Sequence, residues 1–124
     1  LTVETRGRIN DRVSIHERPC IVEERTRIGD WEADTVIGQH HKQAIVTLVE
    51  RKTGLLKMKR VDNKTAQQVS EAMIELLAPV RLQVKTITSD NGKEFANHKK
   101  VKQKLFSPFF FADAYASWQR GTLP

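Results

Sequence analysis

Three strand-like runs, the first two rich in β-branched residues, precede the first helical stripe, and that order decides what kind of sheet the chain can make. "WEADTVIG" (31–38) and "QAIVTLVER" (43–51) are separated only by the polar "QHHK", which reads as a hairpin loop. Lys52-Thr53-Gly54 makes a second turn before "LLKMKRV" (55–61), which alternates apolar and basic residues. Connections this short join antiparallel neighbours. Next, "NKTAQQVSEAMIELLAPV" (63–80) places Val69, Met73, Leu76, Leu77 and Val80 on one stripe of a helix. Thr65 or Asn63 caps its start and Pro79 marks its end. "VKTITSD" (84–90) is a short buried strand, and "EFANHKKVKQKLF" (94–106) a basic helix with Phe95, His98 or Lys99, Lys102 and Phe106 in rough register. "PFFFADAY" (108–115) is a last strand. The order β-β-β-α-β-α-β predicts an α/β domain, a mixed sheet with helices packed on it. A right-handed crossover sets the strand after Val84 beside the first strand.

Residues 1–27 show neither helical nor strand period, so the expectation there is an extended arm or linker, with the domain running from 28 to 124. A chain of 124 residues suits one domain with a self-sufficient core. No apolar run approaches the roughly 20 residues that cross a bilayer. Arg6, Arg8, Asp11, Arg12 and Arg18 interrupt any signal-peptide core near the start. Cys20 is the single cysteine, which excludes a disulfide framework and a Cys-based zinc site. A cytoplasmic protein with no membrane partner is the expectation.

The net charge of +6 is unevenly placed. Arg51, Lys52, Lys57, Lys59, Arg60 and Lys64 crowd one stretch against a single acid, Asp62. Arg81, Lys85, Lys93, Lys99, Lys100, Lys102 and Lys104 crowd a second against Asp90 and Glu94. Clustered positive charge attracts polyanions through counterion release, although a solvated face that keeps the protein soluble has the same composition.

The acids are more selective. Asp30, Glu32 and Asp34 are two apart, so in a strand all three side chains share one face, with Trp31, Ala33 and Thr35 on the other. A carboxylate in such a strand needs an arginine or lysine partner or a cation. Asp90 ends the strand "TITSD" and is followed by Asn91 and Gly92, which is good turn chemistry and also the position where open α/β sheets place ligands. If Asp34 and Asp90 stand on adjacent strands, both reach one divalent ion, and Mg²⁺ takes carboxylate oxygens and bridges to phosphate. A basic chain around a small acidic centre suits metal-assisted phosphodiester chemistry.

"WEADT" (31–35), "LVERKTG" (48–54) and "TSDNGKEF" (88–95), in that order, resemble the catalytic core of DDE transposases of the retroviral-integrase type. "RIGDWEADTVIG", "DNGKEFA" and "YASWQRG" are most similar to the insertion sequence thirty family among them, and the likeness runs from about Arg6 to Gly121. The resemblance implies an RNase H-like fold, a five-stranded mixed sheet of order 3-2-1-4-5. It makes Asp34 and Asp90 the first two catalytic, metal-binding acids. Asn91 and Gly92 would allow close approach of backbone and metal, and Lys93 would face phosphate. Asn91, Lys93, Lys99 and Lys100 are the expected DNA contacts. Two Mg²⁺ or Mn²⁺ ions serve the intact enzyme, which hydrolyses a phosphodiester at the element end and joins the freed 3′-OH to target DNA. Partners are double-stranded DNA, both transposon ends and target, and a second copy in a homodimer; a bacterial cytoplasmic protein would be nucleoid-associated when bound.

The family pattern then asks for a glutamate in an Asn-Glu-Asn setting after "SWQRG", where this sequence reads Thr122-Leu123-Pro124. The expectation is a core truncated before its third acid and inactive as this fragment, with neither Glu32 nor Glu94 substituting. The alternatives are a non-enzymatic DNA-binding or dimerisation remnant and a structure-specific nuclease of the same fold. His40 and His41 read as solvated loop residues, and His16 and His98 lack cysteine partners for a zinc module. Trp31 reads as core and Trp118 as core or DNA contact. "PFFF" (108–111) reads as a buried strand, or as a dimer surface if one face stays exposed.

Overall fold

A computed structural model of the chain describes residues 9–38 and 42–113. Its frame is a sheet of β1 (Asp30–Ile37), β2 (Ala44–Glu50), β3 (Leu56–Val61), β4 (Thr86–Ser89) and β5 (Phe109–Phe111). Three α-helices accompany it: α1 (Ile21–Glu24), α2 (Ala66–Leu77) and α3 (His98–Leu105). The spatial order is β3-β2-β1-β4-β5. β1, β2 and β3 pair antiparallel as successive hairpins, whereas β4 lies parallel to β1 and β5 parallel to β4. The crossover through α2 therefore delivers β4 to the first strand, as the sequence predicts.

Core formation follows the two periodicities. Ala33 of β1, Val46 and Leu48 of β2 and Ile87 of β4 are fully buried on the helix-covered face. They meet Val69, Ala72, Met73 and Leu77 of α2 and Val101 and Leu105 of α3. Each Val, Leu, Ile and Met side chain among them contributes about 1.5–3 kcal/mol when taken from water. Thr65 caps α2, its hydroxyl accepting the Gln68 N–H at 3.2 Å. Leu77 ends that helix, and a 3₁₀ segment with Pro79 in its first turn follows. Trp31 is buried as expected, 3% exposed.

Three expectations change. Residues 9–27 are not an extended arm: a 3₁₀ turn (Ile15–Glu17) and α1 fold against the domain, burying Ile9, Ile15 and Val22. Their irregular apolar spacing reflects contact with the sheet at isolated points. Val13 accepts the Phe111 N–H at 2.8 Å, and Ser14 bridges Phe111 in parallel. Second, the aromatics of β5 present no open face. Phe109, Phe110 and Phe111 are all buried within the chain, which removes the exposed-aromatic ground for a dimer surface. Third, Phe106 leaves the helical register. It caps α3 in the left-handed conformation at φ 55° and lies exposed, with the Arg81 guanidinium 5.7 Å above its ring. His40, His41, Tyr115, Trp118 and the region of the expected third acid lie outside the described residues.

Candidate active site

The acidic row of β1 divides along its length. Asp30 is buried, receives Arg27 at 2.9 and 3.1 Å and accepts the Thr86 hydroxyl at 2.7 Å. That hydrogen bond raises the Arg27 pKa above its ordinary value. Glu32, also buried, takes Arg51 at 2.8 Å and Arg18 at 3.5 Å. Arg18 in turn donates to the Thr88 hydroxyl at 3.0 Å and pairs with Glu23, while Arg51 donates to the Val22 carbonyl at 3.0 Å. For these two acids the arginine alternative is the one realised, and Glu32 is thereby engaged away from any shared ion.

Asp34 lies further along, half-buried, where β1 emerges from the core. β1 and β4 pair as Asp30↔Thr86, Trp31↔Ile87 and Glu32↔Thr88, a constant offset of 56 residues. The same offset separates Asp34, within β1, from Asp90, which directly follows β4, although the pairing itself ends at Glu32↔Thr88. Each has one oxygen held by a nearby backbone amide. Thr35 N–H donates to Asp34 Oδ1 at 2.8 Å, and Gly92 N–H to Asp90 Oδ1 at 2.8 Å. Asp90 thus makes the turn its sequence suggests while standing at the sheet's ligand-binding end.

Gly92 has an ordinary extended backbone, φ −62°. Its missing side chain matters through space: a Cβ there would sit 2.5 and 2.6 Å from the Glu94 carboxylate oxygens. Glu94 lies in a 3₁₀ turn (Lys93–Phe95), ahead of α3. Its Oε2 accepts the Thr35 hydroxyl at 2.9 Å and lies 3.6 Å from Lys64 Nζ.

The carboxylates of Asp34 and Asp90 are hard oxygen donors, the kind Mg²⁺ and Mn²⁺ take together with water. Among the described residues no cluster of three or more acids, histidines or cysteines is placed to hold a metal. Glu94 is engaged instead by the Thr35 hydroxyl and Lys64. The donor set present fits an ion that Asp34 and Asp90 would share, with further ligands from elsewhere.

The expected DNA contacts separate. Asn91 is tied within the chain, donating to the Ala112 carbonyl and accepting from Arg12. Lys99 pairs with Asp11, whose carboxyl falls below its ordinary pKa through that hydrogen bond and charge. Lys93 and Lys100 are exposed, as are Lys102 and Lys104 on the same helix, and none of these four makes an ion pair among the described residues. The first basic cluster is largely consumed internally: Arg51 on Glu32, Lys59 on Glu75 at 3.2 Å, Arg60 on Asp62 at 3.1 Å and Lys64 on Glu94. His16 pairs with Asp113 at 2.6 Å on the surface, whereas buried His98 packs in the core with Nε2 2.9 Å from the Asn10 carbonyl.

No family model matches the chain. Among curated proteins, the transposase for insertion sequence element IS4351 of Bacteroides fragilis is 46% identical over 94% of this chain and 36% of its own length. Transposase InsI for insertion sequence element IS30A of Escherichia coli is 35% identical over 94% of this chain and 31% of its own length. The chain is similar in sequence to transposases of insertion sequence elements, IS4351 and IS30A among them. It spans about a third of the length of the curated transposases it matches. The crystal structure of the catalytic core domain of BIV integrase superposes with a TM-score of 0.60 at 24% identity, covering 75% of this chain and 60% of that one. The shared architecture is RNase H-like.

Within this transposase relative, the sequence reading names Asp34 and Asp90 but not Thr35 or Lys64. Their signal was available only in part. Thr35 alternates with Asp34 and so points toward α2, and Lys64 immediately precedes that helix.

Proposed function

We propose that the chain is the catalytic-core portion of a DNA transposase that uses divalent cations to cut and rejoin phosphodiester bonds. What supports the reading is the parallel pairing of β1 with β4, which runs from Asp30↔Thr86 to Glu32↔Thr88 at the same offset of 56 residues that separates Asp34 from Asp90. Asp34 and Asp90 hold Mg²⁺ or Mn²⁺. When bound, the ion stabilises charge on the attacking and leaving oxygens of the phosphodiester. Hydrolysis at an element end and transfer of the freed 3′-OH to target DNA follow from kinship with the transposases.

DNA lies along the exposed lysines of α3, Lys100, Lys102 and Lys104, and reaches the site past Lys93. Lys99 contributes after parting from Asp11 on the surface, whereas Asn91 holds the loop that carries Asp90. Homodimerisation rests on the resemblance alone, because β5 offers no exposed aromatic face.

Mn²⁺ titration of the chain by electron paramagnetic resonance tests the reading. Asp34→Asn and Asp90→Asn should each weaken binding at least about ten-fold, given that even indirect contacts to metals are worth ten- to a hundred-fold. Unchanged Mn²⁺ affinity in both variants sinks the metal reading. DNA binding that ignores both Mn²⁺ and Asp34→Asn would instead favour a non-enzymatic DNA-binding module.

A further inference from the structure

The ladder between β1 and β4 stops short of the two aspartates. Its last pair is Glu32↔Thr88, so Asp34 and Asp90 stand one dipeptide beyond the backbone pairing that aligns their strands. β1 is still paired with β2 at Asp34, opposite Thr47, but no β1–β4 pair ties Asp34 to Asp90, and a shared ion needs its two carboxylates at a fixed separation. Something other than backbone pairing has to set that spacing.

Glu94 is placed to do so. Its side chain is 10% exposed, and Oε2 accepts the Thr35 hydroxyl at 2.9 Å. Thr35 is the residue whose N–H holds Asp34 Oδ1 at 2.8 Å. The same carboxylate covers Gly92 so closely that a Cβ there would meet both its oxygens. Gly92 is the residue whose N–H holds Asp90 Oδ1 at 2.8 Å. Lys64, just ahead of α2, offsets the charge from 3.6 Å. Thr35 points to the helix-covered face and Asp34 to the other, so Glu94 grips β1 from behind the acid.

We infer that Glu94 is a positioning residue, clasping Thr35 and Gly92 so that Asp34 and Asp90 keep the separation one divalent cation requires. The inference rests on the metal reading of those two aspartates. It assigns Glu94 no bond to the metal and no contact with DNA.

The test uses Glu94→Ala, Glu94→Gln and Gly92→Ala. Glutamine retains an acceptor for the Thr35 hydroxyl and the volume above Gly92, so it should bind Mn²⁺ within about three-fold of the parent. Alanine should weaken Mn²⁺ binding about ten-fold or more, in the range expected when a partner of a metal ligand is removed. Gly92→Ala should act like Glu94→Ala, since its methyl displaces the carboxylate. Without metal, amide hydrogen exchange in Glu94→Ala should quicken at Thr35 and Gly92 while Leu48 and Ile87 stay protected.

Three results overturn the inference. One is parent-like exchange at Thr35 and Gly92 in Glu94→Ala. Another is exchange quickened throughout the sheet, the mark of general destabilisation. The third is a Glu94→Gln defect in Mn²⁺ binding as deep as that of alanine, which would make Glu94 a direct ligand. If the parent binds no Mn²⁺ through Asp34 but alanine still frees those two amides alone, the metal reading falls and the clasp stands.

Discussion

Arg18 shows how one side chain converts a costly strand into a stable one. Its guanidinium is buried and reaches Glu32 at 3.5 Å and Thr88 at 3.0 Å, bridging β1 and β4 from below. Removing one member of a buried pair strands the other's charge and typically costs about 3–5 kcal/mol. Arg51 holds the same carboxylate at 2.8 Å, so Glu32 keeps a partner when Arg18 is lost. Arg18→Ala should therefore lower unfolding free energy by about 3 kcal/mol, the low end of that range, in a urea titration. A change under about 0.5 kcal/mol would show that the Arg18 pair adds nothing. At this scale the sequence was legible where a residue's role is set by its own strand. The alternation of Asp30, Glu32 and Asp34 could be read directly. That Arg51 and Arg18 neutralise Glu32 could not, because they reach it from 19 and 14 positions away with no local pattern to announce them. Glu94 was hidden for a related reason: its meaning depends on Thr35, 59 positions earlier.

At the scale of elements, the β2–β3 hairpin is anchored by a single carboxylate. Glu50, 1% exposed, accepts the Gly29 N–H at 2.8 Å and both the N–H and hydroxyl of Thr53 at 2.7 Å. Burial alone would raise its pKa, but the Gly29 and Thr53 donors outweigh it and the pKa lies below the ordinary value. A depressed folded pKa contributes stability above the unfolded value, about 4.3, and that contribution is lost as pH falls through the lower folded value. Glu50→Gln should thus cost about 2 kcal/mol at neutral pH, with the gap to the parent closing toward pH 3 in parallel thermal melts. A gap independent of pH would refute the charge-based account. Gly29 takes part for a backbone reason: at φ 123°, with the Gln83 carbonyl 2.5 Å from any added Cβ, only glycine fits. Strands and helices were legible because their periods are local. The fold of residues 15–24 was not, since each of its buried groups is bought by a distant partner rather than by its neighbours.

For the molecule as a whole, the sequence overstated the basic surface. Ion pairing absorbs most of the Arg51–Lys64 cluster, and α3 is left as the main cationic face. Binding of a labelled duplex should weaken with salt, and the triple variant Lys100→Ala, Lys102→Ala, Lys104→Ala should flatten the log-log slope by up to about three. A slope unchanged by the triple variant would move DNA to another face. The seam between residues 13–14 and Phe111 has its own implication, for assembly in time. Residues 13–14 leave the ribosome some hundred residues ahead of Phe111, so they must wait, unseated, until β5 has emerged. Their docking then follows β5: they cover the margin of that strand, and the sheet gains this neighbour from a segment made well before it.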